Sequence, residues 1–284
     1  MIKPIQDTYP ELIMSECSIA VIMSVYRSDN PEMFKVAVNS ILEQSISCDL
    51  LIYRDGPVSS ELDELLDSYS LLSNVIIFRN NENNGLATSL NFLISSSLEK
   101  GYQYIARMDS DDISRPDRLR RQVLFLENNS DVDVLGSSCH EFGASFALYE
   151  KHLPKNHEEL KNFSITRCPF IHPTVIFRRD VFEEGYRYPV DTTLTEDMAL
   201  WFELLNAGFK FANINEVLLD YRLNENTINR RKGINKALSE IIIRFRNMIS
   251  LKQVNYKNVL FIAARIVFHL MPSFLIKVAY KKAR

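Results

Sequence analysis

Three carboxylates fall within four residues at Asp109, Asp111 and Asp112, directly after the short apolar run 104–108. A run of that kind reads as a buried strand, so the acids stand where a strand stops. Like charges at contact range in a poorly solvated site repel by kilocalories, and such a cluster is unfavourable unless a cation sits among them. Asp109-Ser110-Asp111 has the DXD spacing, in which carboxylates at a strand end hold a hard divalent ion that in turn holds a nucleotide diphosphate. The same residues also suit a solvated Asp-rich turn leading into the helix after Pro116, where Ser114 and Asp117 are good early-helix residues. Taken alone, the cluster fits both.

The elements that must position these acids repeat one pattern. Residues 18–25 form a continuous apolar run of buried-strand type that ends in Tyr26-Arg27-Ser28-Asp29-Asn30. Asn30 and Pro31 then open a helix to about residue 43. Residues 49–53 are a second strand, stopped by Arg54-Asp55-Gly56-Pro57, and Ser60 caps an acidic amphipathic helix to about residue 69. A third strand over 75–78, a loop over 80–85 and a helix over 86–98 lead to the fourth strand. Strands alternating with helices predict an α/β fold, a mostly parallel sheet with helices on both faces. Ligands of such sheets bind beyond the carboxyl ends of the strands. Tyr26, Asp55, Asn84 and the aspartates all fall at that edge, so four successive strand ends converge on a site. None of these loops carries a GxGxxG or Walker sequence, which disfavours a Rossmann dehydrogenase and a P-loop enzyme.

The second half is less regular. A helix over 118–128 precedes a strand over 132–136; residues 174–177 are extended after Ile171-His172-Pro173, and 179–184 form a short helix. Thr195 caps a helix over 196–205, ended by Gly208. Residues 209–214 and 217–223 read as two strands, with antiparallel pairing one arrangement they allow, and 224–229 as a polar loop.

Bulk composition narrows the class. The chain has 284 residues and 46% hydrophobic content, ample for a folded core. Its net charge of −3 conceals an asymmetry: nine Lys and Arg follow Glu240 and no Asp or Glu does, which leaves the body strongly acidic. An acidic body does not bind nucleic acid, whereas a basic, apolar tail suits an anionic surface. Cys17, Cys48, Cys139 and Cys168 lack CxxC pairing, as expected of reduced cysteines in the cytoplasm. Residues 1–16 have no apolar core of the signal-peptide type.

With these residues in place, the chain resembles the inverting family 2 glycosyltransferases of the GT-A fold, especially bacterial ones that build surface polysaccharides such as O-antigen, capsule and exopolysaccharide. The resemblance spans about residues 18–222. It rests on Ser24-Val25-Tyr26, Asp55-Gly56, Asn84-Gly85-Leu86 with Asn91, Asp109-Ser110-Asp111-Asp112, His172-Pro173-Thr174, Glu196-Asp197 and Tyr221-Arg222. It implies a UDP-sugar donor held by Ser24, Tyr26, Asp55, Asn84, Gly85, Asp109 and Asp111. Asp55 matches the position that meets the uracil ring, and Tyr26 lies in the loop around base and ribose. Asp109, Asp111 and Asp112 match the site of a divalent metal, Mn2+ or Mg2+. Asp197 matches the general base, with Glu196 as its neighbour and fallback. Arg54 stands where many members have a second acid, a departure that bears on base identity.

Direct displacement at an anomeric carbon needs a group that deprotonates the acceptor hydroxyl, and a carboxylate at a helix start facing the sheet edge serves. Dipole stabilisation of the helix N-terminus is the other role open to Glu196-Asp197. His172 suits a hydrogen-bonded structural histidine, and the resemblance adds an acceptor-side or metal-side group. Trp201 suits the core or the wall of an acceptor pocket. Arg222, with Arg230 and Arg231, suits a diphosphate clamp or a solvated basic loop. The catalytic domain is expected over 1–230, with a donor half at about 17–112 and an acceptor half at about 113–230. Residues 231–284 form a helical tail. Within it, 259–276 is mostly apolar but holds Arg265 and Pro272, which predicts an interfacial helix with flanking lysines on anionic lipid rather than a span. The expected location is therefore the cytoplasmic face of the inner membrane, and the expected acceptor a polyprenyl-diphosphate-linked saccharide. Other readings are a sugar-nucleotide pyrophosphorylase, whose glycine-rich signature is missing after the first strand, and a non-catalytic nucleotide-sugar-binding protein.

Overall fold

Alternation of buried residues along the first strand sets the layering. β1 (Ile19–Tyr26) turns Ile19, Val21, Met23 and Val25 toward one core and Ala20 and Ile22 toward another. Side chains of a strand point alternately to opposite faces, so a run apolar at every position demands cover on both. The first core is closed by α1 (Pro31–Leu42), α2 (Ser60–Tyr69) and α4 (Arg118–Asn128); the second by α3 (Leu86–Glu99), the short α6 (Asp180–Glu183) and α7 (Glu196–Ala207). The computed structural model describes residues 18–192, 195–225 and 234–270 and, within the last stretch, the side chains of 238–264.

The eight strands lie in the order β3-β2-β1-β4-β7-β6-β8-β5. β2 (Asp49–Asp55), β3 (Val75–Arg79) and β4 (Tyr104–Arg107) run parallel with β1. β7 (Ile176–Arg178) is antiparallel to both β4 and β6 (Val134–Phe142), and β5 (Ile113–Ser114) is antiparallel to β8 (Phe211–Arg222). The ends of β1 to β4 therefore share one edge, as the α/β pattern predicts.

Local rules account for most boundaries. Asn30 Oδ1 accepts from Met33 N at 3.0 Å, with Pro31 in the first turn of α1. Ser59, not Ser60, caps α2, because its hydroxyl reaches the amide of Leu62, the first buried position of the helix. Gly208 adopts φ +98° and ends α7 as expected. Thr195 precedes α7 but makes no side-chain cap bond.

Two predicted strands are one. β8 runs unbroken and pairs in parallel with β6, its register jumping from Ser137↔Ile214 to Ser138↔Val217. The bulge takes up Asn215 and Glu216, the polar pair that reads as a break; Glu216 turns outward to Arg121 at 2.8 Å.

The basic tail is also part of the body. α8 (Ile234–Ser250) and α9 (Tyr256–Leu270) place Met248, Leu251 and Ile262 in the second core. Arg244, expected among charges facing an anionic surface, is buried. Its Nε donates to Glu240 at 2.9 Å and its Nη1 to the carbonyls of Ser164 and Ile165. Those carbonyls end α5 (His157–Ser164), where a cation complements the helix dipole. No described helix is long and apolar enough to cross a membrane. Residues 271–276 of the predicted interfacial stretch, Cys17, most of the loop over 224–229, Arg230 and Arg231 lie outside the described residues.

Removing one partner of a buried ion pair leaves the other charge desolvated. Arg244→Ala is therefore expected to lower unfolding free energy by about 3–5 kcal/mol, measured by chemical denaturation. Exposed Arg246→Ala should change it by less than about 0.5 kcal/mol.

Candidate active site

The acid turn is assembled around two buried guanidinium groups. Arg107, the last residue of β4, donates to Met108 O and to Asp109 Oδ1. Arg118, at the head of α4, donates to Arg107 O at 2.6 Å and to Gln122, whose amide reaches Thr174 O. Burial lowers the Arg118 pKa only to about 10, so it stays charged. Strand end, helix head and the turn before β7 are thereby joined under the acids.

Asp109, Asp111 and Asp112 each bring a carboxylate oxygen within 4.8 Å of the others. Asp112 is fully buried: Oδ1 accepts from Arg222 N at 2.7 Å, and Oδ2 has no hydrogen-bond partner. An orphaned buried carboxylate oxygen beside two further carboxylates is a donor set that fits a hard divalent cation. Burial, then the charges of Asp109 and Asp111, raise the Asp112 pKa well above its usual range.

Asp29 is a fourth acid, from the loop after β1. It is linked to Tyr26 by reciprocal bonds, Tyr26 N to Asp29 Oδ2 at 2.9 Å and Asp29 N to Tyr26 O at 3.0 Å. Burial, opposed by hydrogen bonds from Tyr26 and Ser110, pushes its pKa up to about 6, and Asp111 and Asp109 add to the rise. Ser24 and Tyr26 stand at the same strand end, with Tyr26 exposed.

Asp55 is only 3% exposed, with Oδ1 accepting from Asn84 N at 2.7 Å and Oδ2 from Gly85 N at 2.9 Å. The residue expected at the uracil ring thus ties the end of β2 to the head of α3. Gly85 precedes that helix at φ +87°, a backbone conformation that favours glycine.

Asn91, which the motif carried without a role, clasps Tyr188: Nδ2 donates to its carbonyl and Oδ1 accepts from its amide, each at 2.8 Å. Tyr188 is buried, and its hydroxyl lies 2.9 Å from His172 Nε2. Burial, then Arg107, hold His172 well below its usual pKa, so the imidazole is neutral. Burial raises the Tyr188 hydroxyl, which also feels Arg107, Asp197, Glu196 and Asp109. This one side chain therefore stands within electrostatic reach of both the acid turn and the first turn of α7. Nothing local marks Tyr188; its role comes from contacts nearly a hundred residues away.

Asp197 Oδ1 accepts from Met198 N at 2.7 Å, so the carboxylate also serves the helix start. Arg222 donates from Nε to Asp111 O at 2.7 Å, with its guanidinium 4.5 Å from the Phe142 ring centroid. Trp201 is 1% exposed among Phe170, Phe177 and Phe211, so it belongs to the core and does not wall a pocket. A groove between α5 and α9, lined by Asn162, Phe163, Asn258 and Phe261, contains none of the predicted site residues.

A family model described as Glycosyl transferase family 2 matches residues 20–186. The amylovoran biosynthesis glycosyltransferase AmsE of Erwinia amylovora is 30% identical over 269 residues, 93% of this chain and 98% of that protein. The UDP-Gal:alpha-D-GlcNAc-diphosphoundecaprenol beta-1,3-galactosyltransferase of Escherichia coli is 33% identical over 269 residues, 93% of this chain and 95% of that protein. Among solved structures, S. aureus TarS 1-349 in complex with UDP-GlcNAc matches with a TM-score of 0.62 at 13% identity, over 88% of this chain and 71% of that one. Mannosyltransferase PcManGT from Pyrobaculum calidifontis, in complex with GDP-Man and Mn2+, matches at 0.56 and 12% identity, over 93% and 84%. These structural likenesses bear on the fold, which is of the expected GT-A type.

The buried acid leads to a stability prediction. Asp112 has a folded pKa above the ordinary 3.8, so the folded chain binds more protons in that window. Stability then falls as pH rises through it, and the full cost is present above it. Asp112→Asn removes the charge and keeps an acceptor for Arg222 N. In EDTA at mildly alkaline pH, its melting temperature should equal or exceed that of the parent. Added Mn2+ should raise the parent more than the variant. A variant clearly less stable in EDTA would mean that the charge itself holds the turn.

Proposed function

This chain belongs to glycosyl transferase family 2, and on that premise we propose that it moves a hexose or N-acetylhexosamine from a UDP-sugar to a hydroxyl of a lipid-diphosphate-linked saccharide, with inversion. The observation that supports the reading is buried Tyr188, clasped by Asn91 and bonded to His172, whose hydroxyl is raised first by burial and is also subject to the charges of Asp197, Glu196 and Asp109. On this reading the acids that would hold a diphosphate and the acid that would take a proton serve one site, with Tyr188 between their influences. The names of the two bacterial relatives favour surface-polysaccharide assembly, and one of them specifies a UDP-Gal donor and a diphosphoundecaprenol acceptor.

In this mechanism the acceptor oxygen attacks the anomeric carbon as the bond to the diphosphate oxygen breaks, and the electron pair leaves with UDP. Asp197 accepts the acceptor's proton, a contribution of roughly 10²–10⁴ in rate. Asp109, Asp111 and Asp112 would hold a divalent ion, which would supply charge neutralisation to the leaving diphosphate. Arg222 holds the acid turn through Asp111 O and Asp112. Asp55 shapes the base site by fixing the Asn84-Gly85 turn, while Ser24 and Tyr26 border it. His172, neutral and bonded to Tyr188, orders the wall between donor and acceptor sides.

The tail fits a peripheral place on the cytoplasmic face of the inner membrane. Leu238, Ile242, Phe245 and Ile249 are exposed in one stripe along α8, and Leu260 and Phe261 are exposed on α9. Arg246, Lys252 and Lys257 are exposed nearby. An apolar stripe flanked by cations is the pattern of a helix lying at an anionic interface.

Two outcomes test these readings. Asp197→Asn should lower acceptor-dependent UDP release by about 10²-fold or more, while calorimetry shows UDP affinity in Mn2+ unchanged; a pure nucleotide-sugar binder would release no UDP even in the parent. The double variant Ile242→Glu, Phe245→Glu should stop floating with phosphatidylglycerol vesicles at low salt while melting normally. Equal flotation of that variant and the parent would rule out the stripe as the contact.

A further inference from the structure

On the side of the acid turn away from β1 to β3, the chain builds a ridge of planar groups that the transfer reaction leaves unused. The His140 and Phe142 rings on β6 stack with centroids 6.2 Å apart and planes 12° apart. Tyr149 meets His140 edge-on at 5.5 Å and is 82% exposed. At the other end, Arg222 lies over Phe142 and donates to Asp111 O, so the ridge is continuous with the acid turn. Register gives the spacing: His140 pairs with Asp220 on β8, and Asp220 pairs with Ile113, the residue after Asp112. Two strand spacings, about 10 Å, therefore separate the start of the ridge from the turn.

The ridge is held in place. Leu148 and Lys151, which flank Tyr149, are bonded by their backbones to Glu141 and Cys139 of β6. Phe146 is buried with Leu223 beneath the connecting loop. Beside the rings, Asp220 Oδ1 accepts from Arg115 Nη2 at 3.0 Å and lies 3.1 Å from His140 Nδ1. One exposed ring, Tyr149, and the half-buried rings of His140 and Phe142, next to a carboxylate and a guanidinium, match an amphipathic ligand with an apolar C–H face and a rim of hydroxyls, which is what a pyranose offers.

We propose that Tyr149, His140 and Phe142, with Asp220 and Arg115 at their edge, form a saccharide subsite that holds a sugar residue of the acceptor remote from the attacked hydroxyl. The proposal rests on the glycosyl-transfer reading for its purpose, but not for its physics, since the ridge can bind sugar whether or not transfer follows. It assigns acceptor-chain specificity to β6 and the following loop, away from the donor strands.

Saturation-transfer NMR of the full chain with N-acetyllactosamine and the methyl β-glycosides of galactose, glucose and N-acetylglucosamine tests it. At least one probe should receive saturation, and Tyr149→Ala or His140→Ala should weaken its affinity by about fivefold, in line with a single lost ring contact. Tyr149→Phe should bind as the parent does, and UDP affinity in Mn2+ should be the same in all four proteins. The subsite is overturned if no probe binds, if Tyr149→Ala binds equally, or if the ridge variants change the hydrodynamic mass, which would mark the ridge as a contact between chains. Failure of the parent to bind UDP would instead count against the transfer reading and leave the ridge result standing.

Discussion

Mutual repulsion among Asp109, Asp111 and Asp112 is the constraint around which this molecule is arranged. At about 4 Å and an effective dielectric of 20, each like-charged pair costs about 4 kcal/mol. The chain offsets part of this with Arg107 and Arg118, both buried directly behind the turn. It leaves Asp112 with a raised pKa and one oxygen unpartnered. Such a turn gains most from a ligand that is cationic on one side and anionic beyond it, as a metal-bound diphosphate is.

The loops around the turn are held by side chains bonding backbone rather than by regular structure. Asp55 binds the amides of Asn84 and Gly85, Asp112 that of Arg222, and Asn91 both polar groups of Tyr188. Each bond joins segments far apart in the chain. A site built this way keeps its geometry although Asp109 to Asp112 lie in neither strand nor helix, which is what positioning a donor against an acceptor requires. It also means that residues read as ligand contacts carry structural duties, Asp55 most clearly.

The C-terminal helices show one sequence region meeting two demands. Glu240, Arg244, Met248 and Leu251 face the body, where Arg244 satisfies the carbonyls that end α5. Leu238, Ile242, Phe245 and Ile249 fall on the opposite side of the same helix. At 3.6 residues per turn these two sets separate into distinct stripes, so packing on the domain and offering an apolar outer face are compatible.

Much of this was legible in the residues. Continuous apolar runs marked β1 to β4, Asn30 and Gly208 marked helix ends, and the acids marked the strand edge, because periodicity, capping and charge density act over a few neighbours. What the chain alone left open depends on partners far away in sequence. β8 is one strand because β6 lies beside it and absorbs Asn215-Glu216 as a bulge. Trp201 is core because Phe170, Phe177 and Phe211 enclose it. Arg244 is a structural cation because α5 ends against it, and Tyr188 enters the site because Asn91 holds it there. Local sequence determines what an element is; only packing decides which face it turns inward and which charges lose their water, and those two outcomes set the chemistry.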